Sequence, residues 1–218
     1  MSIPKWDVLH RIIDSGMVAI IRGDIADHAA RIAEACVNGG VTTLEVTFTV
    51  PSAARIIETL SKQYKPNELV LGAGTVLDPE TARIAILAGA RFIVSPALNP
   101  ETARLCNRYQ VPHMPGAGTV KEILAGMESG AEIVKIFPSE GLGPGFVKAV
   151  RSPLPQAQLM PTGGVSLDNV AAWIEAGCVA VGVSGHLTGM RQPHDPDTIT
   201  RLAREFLARI RKARGTVS

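Results

Sequence analysis

The sequence predicts an α/β protein, a single-domain (β/α)8 TIM barrel over residues 1–218 with an N-terminal helix. Three observations carry that expectation. Short β-branched runs alternate with helical patterns along the whole chain, in about eight strand-then-helix units. No Pro/Gly/Ser-rich or charged linker interrupts them. A length of 218 residues with 46% hydrophobic content suffices to bury one full core. An open doubly wound sheet is the alternative, but the Gly-x-Gly-x-x-Gly turn expected after its first strand is absent.

The opening segment places Val8, Leu9, Ile12 and Ile13 on one face of an amphipathic turn. Strands are then expected at 17–22, 42–48, 69–75, 91–96, 111–115, 133–138, 158–162 and 179–183. Helical patterns fill 27–38, 52–64, 79–87, 100–109, 120–129, 145–151, 167–175 and 197–211. The string Pro-Glu-Thr-Ala-Arg occurs twice, at 79–83 after Asp78 and at 100–104 after Asn99. Each copy sets a capping residue before a proline at the first helical position and an acidic residue in the first turn. Glycines at 39, 89, 130 and 177 mark helix ends, each just ahead of an expected strand.

Bulk properties exclude several classes of function. A net charge of +2 is too small to imply nucleic acid. The basic stretch 201–214 carries Leu202, Phe206, Leu207 and Ile210 at helical spacing, so it reads as a packed helix with a solvated charged face. No apolar run is long enough to span a bilayer, and the first residues lack the order of a signal peptide, so a cytoplasmic protein without a membrane partner is expected. Cys36, Cys106 and Cys178 lie far apart and read as reduced core thiols, while the five histidines are scattered without metal-ligand spacing.

The chemistry centres on Ile133-Val134-Lys135-Ile136-Phe137-Pro138-Ser139, a buried strand with one charge inside it. Burial disfavours an ammonium and turns lysine into an amine able to attack a carbonyl and form a Schiff base. A structural ion pair, or a lysine snorkelling out at the strand end, is the plainer alternative. On the second strand Glu45, Thr47 and Thr49 share one face, which brings Glu45 into the lumen if the apolar face packs on helices. A buried glutamate there either pairs with Lys135 or works with it as an acid/base.

Arg22 ends the first strand, where a guanidinium suits a carboxylate or stands as an exposed loop residue. Gly72-Ala73-Gly74-Thr75 ends the third, with small residues that admit a ligand or a tight turn. The seventh and eighth strands end Thr162-Gly163-Gly164 and Ser184-Gly185, where barrels usually hold phosphate on backbone N–H groups.

Taken together, Leu44-Glu45-Val46-Thr47, Gly72-Ala73-Gly74-Thr75-Val76, Ile93-Val94-Ser95-Pro96, Met114-Pro115-Gly116, Lys135-Ile136-Phe137-Pro138 and Pro161-Thr162-Gly163-Gly164-Val165 make the stretch 17–187 resemble the bacterial 2-keto-3-deoxy-6-phosphogluconate (KDPG) and 4-hydroxy-2-oxoglutarate (KHG) aldolases, class I enzymes. The resemblance implies that Lys135 is the Schiff-base lysine and Glu45 the acid/base. It implies that Thr75 holds the pyruvyl carboxylate, that Phe137 packs beside the imine, and that Gly163 and Gly164 lie at the phosphate end. The substrate-binding set is then Arg22, Thr49, Thr75, Pro96, Phe137, Thr162, Gly163, Gly164, Ser184 and Gly185. It also implies a homotrimer acting on a small keto acid, with no metal or organic cofactor. Two departures stand out: Thr49 occupies a position where some members carry a substrate-binding arginine, and the usual Gly-Ser at the eighth strand end is reversed to Ser184-Gly185.

The expected reaction is retro-aldol cleavage of a 2-keto-4-hydroxy acid to pyruvate and an aldehyde, either glyceraldehyde 3-phosphate or glyoxylate. Two rivals share the fold: a catalytically silent phosphate-binding barrel, and a phosphosugar isomerase-type barrel using Glu45 without imine chemistry.

Overall fold

The computed structural model describes residues 4–22, 28–189 and 193–215. The chain is α/β throughout: α1 (Pro4–Ser15), β1 (Met17–Ile21), α2 (Ala29–Asn38), β2 (Thr43–Thr47), α3 (Ala53–Gln63), β3 (Val70–Gly74), α4 (Pro79–Ala88), β4 (Phe92–Val94) and α5 (Pro100–Tyr109) come first. They are followed by β5 (His113–Met114), β6 (Gly116–Ala117), α6 (Val120–Glu128), β7 (Val134–Ile136), α7 (Ser139–Arg151), β8 (Leu159–Pro161), α8 (Val170–Glu175), β9 (Val181–Val183), α9 (Gly185–Thr188) and α10 (Pro196–Ala213).

The strands run parallel in two sheets, one of six in the order β5-β4-β3-β2-β1-β9 and one of three, β6-β7-β8. Eight strands in one sheet were expected; the fifth is broken in two. Pro115 has no N–H to continue a ladder, yet its carbonyl accepts from Lys135 N at 2.9 Å. The chain therefore pairs with β4 before the proline and with β7 after it. At the other border Val179 N donates to Leu159 O at 3.1 Å, and Thr162 bridges Gly182 in parallel.

Alternation sorts the strand residues into two cores. Met17, Ala19, Ile21, Leu44, Val46, Leu71, Ala73, Val134, Ile136, Val181 and Val183 pack outward with the helices. Val18, Ile20, Val70, Phe92, Val94, Met114, Ile133 and Met160 pack on the other face, joined by Val8, Leu9 and Ile12 of α1. Helix α1 thus covers the starts of the strands from the inner side. Among the buried polar residues of that inner face, Thr43 starts β2, while Glu45 and Lys135 sit in the middle of β2 and β7.

Capping follows the sequence closely. Asp78 accepts from Thr81 N at 2.6 Å and Asn99 from Thr102 N at 3.1 Å, each ahead of its proline. Helix α7 starts six residues before the expected 145, in a first turn that ends at a kink where Gly143 is non-helical and Pro144 follows. The expected start of α2 at Asp27 lies outside the described residues, and the first strand, expected to reach residue 22, ends at Ile21. Among the described residues no helix is long and apolar enough to cross a membrane, and no group of three or more His, Cys, Asp or Glu side chains could hold a metal ion.

Candidate active site

Lys135 is the middle residue of β7, between Gly116 of β6 and Met160 of β8. The period of two that sends Val134 and Ile136 to the helices sends Lys135 to the inner face, where only 5% of it is exposed. Desolvation pushes its amine below the ordinary lysine value, Glu45 opposes that shift, and Arg22 adds to it. Its Nζ lies 4.6 Å from the centroid of the Phe137 ring, two residues on and on the same face. That contact favours the cation and so limits the depression.

Glu45, in the middle of β2, is 1% exposed, and burial raises its carboxyl above the ordinary value against the pull of Lys135 and Arg22. Its Oε2 is buried without a hydrogen-bond partner in the protein. Room for the side chain comes from Gly74 on β3, where a Cβ would fall 1.6 Å from Glu45 Oε1. No ion pair joins Glu45 to Lys135; among the described residues the ion pairs are Lys5–Glu132, Lys62–Glu58, Arg104–Glu101 and Arg201–Glu205. A buried amine and a buried carboxyl thus feel each other's charge without being spent on each other. Such a pair can exchange protons with a third party.

A cavity of about 410 Å³ opens at the C-terminal ends of β1, β7, β8 and β9. Arg22, Phe137, Gly163, Gly164, Ser184 and Gly185 all line it, so six of the expected binding residues meet in one place. Gly163 and Gly164 have φ of +102° and +67°, a left-handed turn that β-carbons disfavour. The Ser139 hydroxyl donates to the Gly163 carbonyl and pins that turn to the start of α7. Thr162 is buried with its Oγ1 unpartnered, and Gly182 leaves it space, since a Cβ there would lie 2.5 Å from that oxygen. Ser184 precedes α9, and its hydroxyl makes no capping bond.

The remaining expected residues stand apart from this lining. Thr75 is half-buried just past β3, at φ +54°. Pro96 is half-buried past β4. Thr49 is exposed two residues beyond β2, its hydroxyl 2.7 Å from that of Thr47. A second cavity of equal volume, lined by Leu69, Leu71, Arg91 and Tyr109, lies at the starts of β3 and β4, away from the polar ends.

Two ionisable side chains of the lining had no expectation attached, Glu140 and His186. Glu140 sits in the first turn of α7, where Gly141, Gly143, Pro144 and Gly145 hide the helical pattern. His186 sits in α9, whose four residues are too short to show a period. The one available signal was position: both lie within two residues of an expected strand end or its closing turn.

Residues 8–202 match the family model described as KDPG and KHG aldolase. The chain belongs to this family. It is 37% identical over 186 residues to the 2-dehydro-3-deoxy-phosphogluconate aldolase of Pseudomonas aeruginosa, covering 84% of each chain. It is 35% identical over 182 residues to the KHG/KDPG aldolase of Escherichia coli, covering 82% of this chain and 84% of that one. Among solved structures, KDPG aldolase from Legionella pneumophila, with pyruvate captured as a covalent carbinolamine intermediate, superimposes with a TM-score of 0.79 at 28% identity, covering 93% of this chain and 97% of that one. The chain is accordingly a KDPG/KHG-type aldolase of the class that works through a lysine adduct.

Proposed function

We propose that Lys135 and Glu45 carry a retro-aldol reaction on 2-keto-3-deoxy-6-phosphogluconate, giving pyruvate and glyceraldehyde 3-phosphate, and on 4-hydroxy-2-oxoglutarate, giving pyruvate and glyoxylate. The observation that carries this reading is a buried lysine and a buried glutamate on one face, electrostatically coupled yet joined by no ion pair. A structural pair would be bonded; this one is not.

Neutral Lys135 Nζ attacks the C2 ketone, and loss of water from the carbinolamine leaves an iminium. Glu45 accepts the 4-hydroxyl proton as the C3–C4 bond breaks, and that bond's electron pair moves into the iminium to give an enamine. The aldehyde leaves. The enamine carbon then takes a proton delivered from Glu45, and hydrolysis of the imine frees pyruvate and Lys135. Thr75 and its neighbouring backbone hold the pyruvyl carboxylate, Pro96 and Phe137 wall the imine, and Thr162 faces the carbon chain. Arg22, Gly163, Gly164, Ser184 and Gly185 receive the anionic far end, while Thr49 fills the place of the arginine that some relatives carry. Charge-assisted bonds of this kind contribute about 1.5–3 kcal/mol each.

The test is pyruvate release from both substrates by the wild type, Lys135→Arg and Glu45→Gln. Lys135→Arg should be inactive, because a guanidinium keeps its proton and forms no imine. Appreciable cleavage by that variant contradicts the reading. Moving the hydroxyl at the eighth strand end, in Ser184→Gly/Gly185→Ser, should raise the preference for the phosphorylated acid by roughly 10-fold, about one charge-assisted hydrogen bond. An unchanged ratio of kcat/KM values means that the order of these residues does not set phosphate recognition.

We further infer that the two sheets close into one (β/α)8 barrel forming a single domain. The Val179–Leu159 hydrogen bond and the Thr162–Gly182 bridge support closure at one border, and continuity through Pro115 supports it at the other. A cytoplasmic homotrimer fits the exposed apolar side chains of Leu77, Ile84 and Leu87 around α4, which a partner copy would cover, and the three free, buried cysteines. Sedimentation equilibrium at the mass of a single chain contradicts the trimer.

A further inference from the structure

We propose that Ser139 and Asn169 are positioning residues whose side chains clamp two successive carbonyls of the turn at Gly163, Gly164 and Val165. The clamps hold the Gly164 and Val165 N–H groups toward the cavity, where the anionic end of the substrate is received. The inference rests on the aldolase reading above and deepens it. Gly163, Gly164 and Val165 line the cavity, whereas Ser139 and Asn169 do not. Both clamps therefore act from behind the turn.

Two glycines in succession, at φ of +102° and +67°, leave this turn freer than other residues would. A turn that must present N–H groups in one direction needs that freedom removed, because preorganisation is what spares the cost of ordering on binding. The removal happens at the carbonyls. The Ser139 hydroxyl donates to Gly163 O, and Asn169 Nδ2 donates to Gly164 O at 2.8 Å. In a trans peptide the carbonyl and the N–H that follows it point in opposite directions, and neither of these peptides is cis. Holding the Gly163 and Gly164 carbonyls thus turns the N–H groups of Gly164 and Val165 away from the clamps. Neither N–H donates to a protein group among the described residues. Backbone donors of this kind require an acceptor, and an anionic terminus in the cavity supplies one.

Each clamp is itself fixed. Ser139 is fully buried, and its own N–H donates to Thr162 O at 3.2 Å. Asn169 stands at the N-terminal boundary of α8, where its residue type ordinarily caps the helix, yet its side chain makes no capping bond. Its Oδ1 instead accepts from Ser166 N at 2.9 Å, which sets the orientation of the amide and aims Nδ2 at Gly164 O. The asparagine leaves its helix uncapped and spends both amide atoms on the loop that carries the turn.

Substituting the turn itself is no test, because a Cβ on Gly164 would fall 2.2 Å from Glu140 Cγ and disturb a second residue of the lining. The test uses Ser139→Ala and Asn169→Ala, with circular dichroism to verify folding. The probe is inorganic sulfate, as a competitive inhibitor of phosphorylated-acid cleavage at one fixed pH. We expect each variant to weaken sulfate inhibition and raise KM for the phosphorylated acid by roughly tenfold, the worth of about one charge-assisted hydrogen bond. Turnover at saturation and the rate of borohydride trapping of pyruvate should stay at wild-type values, since pyruvate has no far end for the turn to hold. Ser139→Ala removes a single oxygen, so it decides alone if Asn169→Ala does not fold. Sulfate inhibition unchanged in folded Ser139→Ala overturns the proposal. So does a fall in kcat and in pyruvate trapping as large as the loss of sulfate binding, which is the mark of a purely structural role. Trapping of pyruvate on the wild type keeps the two readings apart. Its absence removes the aldolase mechanism, whereas trapping with unaltered sulfate inhibition in the variants removes only the clamps.

Discussion

At the scale of single residues, the site depends on which groups are left without partners. Glu45 keeps one buried oxygen unbonded and Lys135 has no carboxylate in contact, so both are available to a substrate. Glu45→Gln should still form the imine with pyruvate but exchange the pyruvate methyl protons roughly 10²–10⁴-fold more slowly, the usual loss for a missing acid/base. NMR of deuterium uptake measures this, and unchanged exchange assigns the role elsewhere. Gly74→Ala is a sharper test of geometry, because its Cβ would meet the Glu45 carboxylate at 1.6 Å. The glutamate must move, so we expect kcat to drop by about 10²-fold, as for an ångström-scale misplacement, with the circular dichroism spectrum retained. Wild-type turnover in Gly74→Ala would show that the position of Glu45 is not critical. Lys135 and Glu45 were legible in the sequence because a charge in a β-branched strand breaks the expected pattern. Glu140 and His186 were not, because the glycine-rich start of α7 and the four-residue α9 show no period for a polar residue to break.

At the scale of elements, local signals located nearly every strand and helix, and the failures have local causes. The two Pro-Glu-Thr-Ala-Arg strings begin helices where the capping residues place them, with Asn99 Oδ1 accepting from Glu101 N and Thr102 N. Asn99→Ala should cost about 1 kcal/mol, seen as a melting temperature lower by roughly 2–4 °C with kcat/KM unchanged. A melting temperature equal to that of the wild type would mean that the cap contributes nothing. The fifth strand was expected as one piece because composition does not report pairing partners; the missing N–H of Pro115 is what divides it between β4 and β7. Helix α7 was read late because Gly141, Gly143, Pro144 and Gly145 are poor helix formers, and only tertiary contacts such as Ser139 on Gly163 fix its first turn. The reversed Ser184-Gly185 order was visible in the sequence, but the short helix it precedes was not.

At the scale of the whole molecule, the α/β architecture was legible because alternation sorts side chains into an inner and an outer core, and Lys135 and Glu45 face the inner one from the middle of their strands. The same burial makes stability depend on pH through a residue outside the reaction. His113 is buried with Nε2 2.9 Å from Ser95 Oγ, and desolvation holds its imidazole down to about 4. The unfolded chain takes up a proton below about pH 6.5 while the folded chain does not until about pH 4, so stability is full above the upper value and is lost as pH falls between the two. The loss amounts to about 3 kcal/mol. Urea unfolding across this window should show that slope, and His113→Gln should flatten it; a slope that persists assigns the effect to other groups. The central claim concerns Lys135, and the most direct measurement is borohydride reduction of the protein with pyruvate followed by peptide mapping. The account predicts one reduced pyruvyl group per chain, on Lys135, and none in Lys135→Arg; an adduct on another lysine such as Lys121 or Lys148, or no adduct at all, contradicts it.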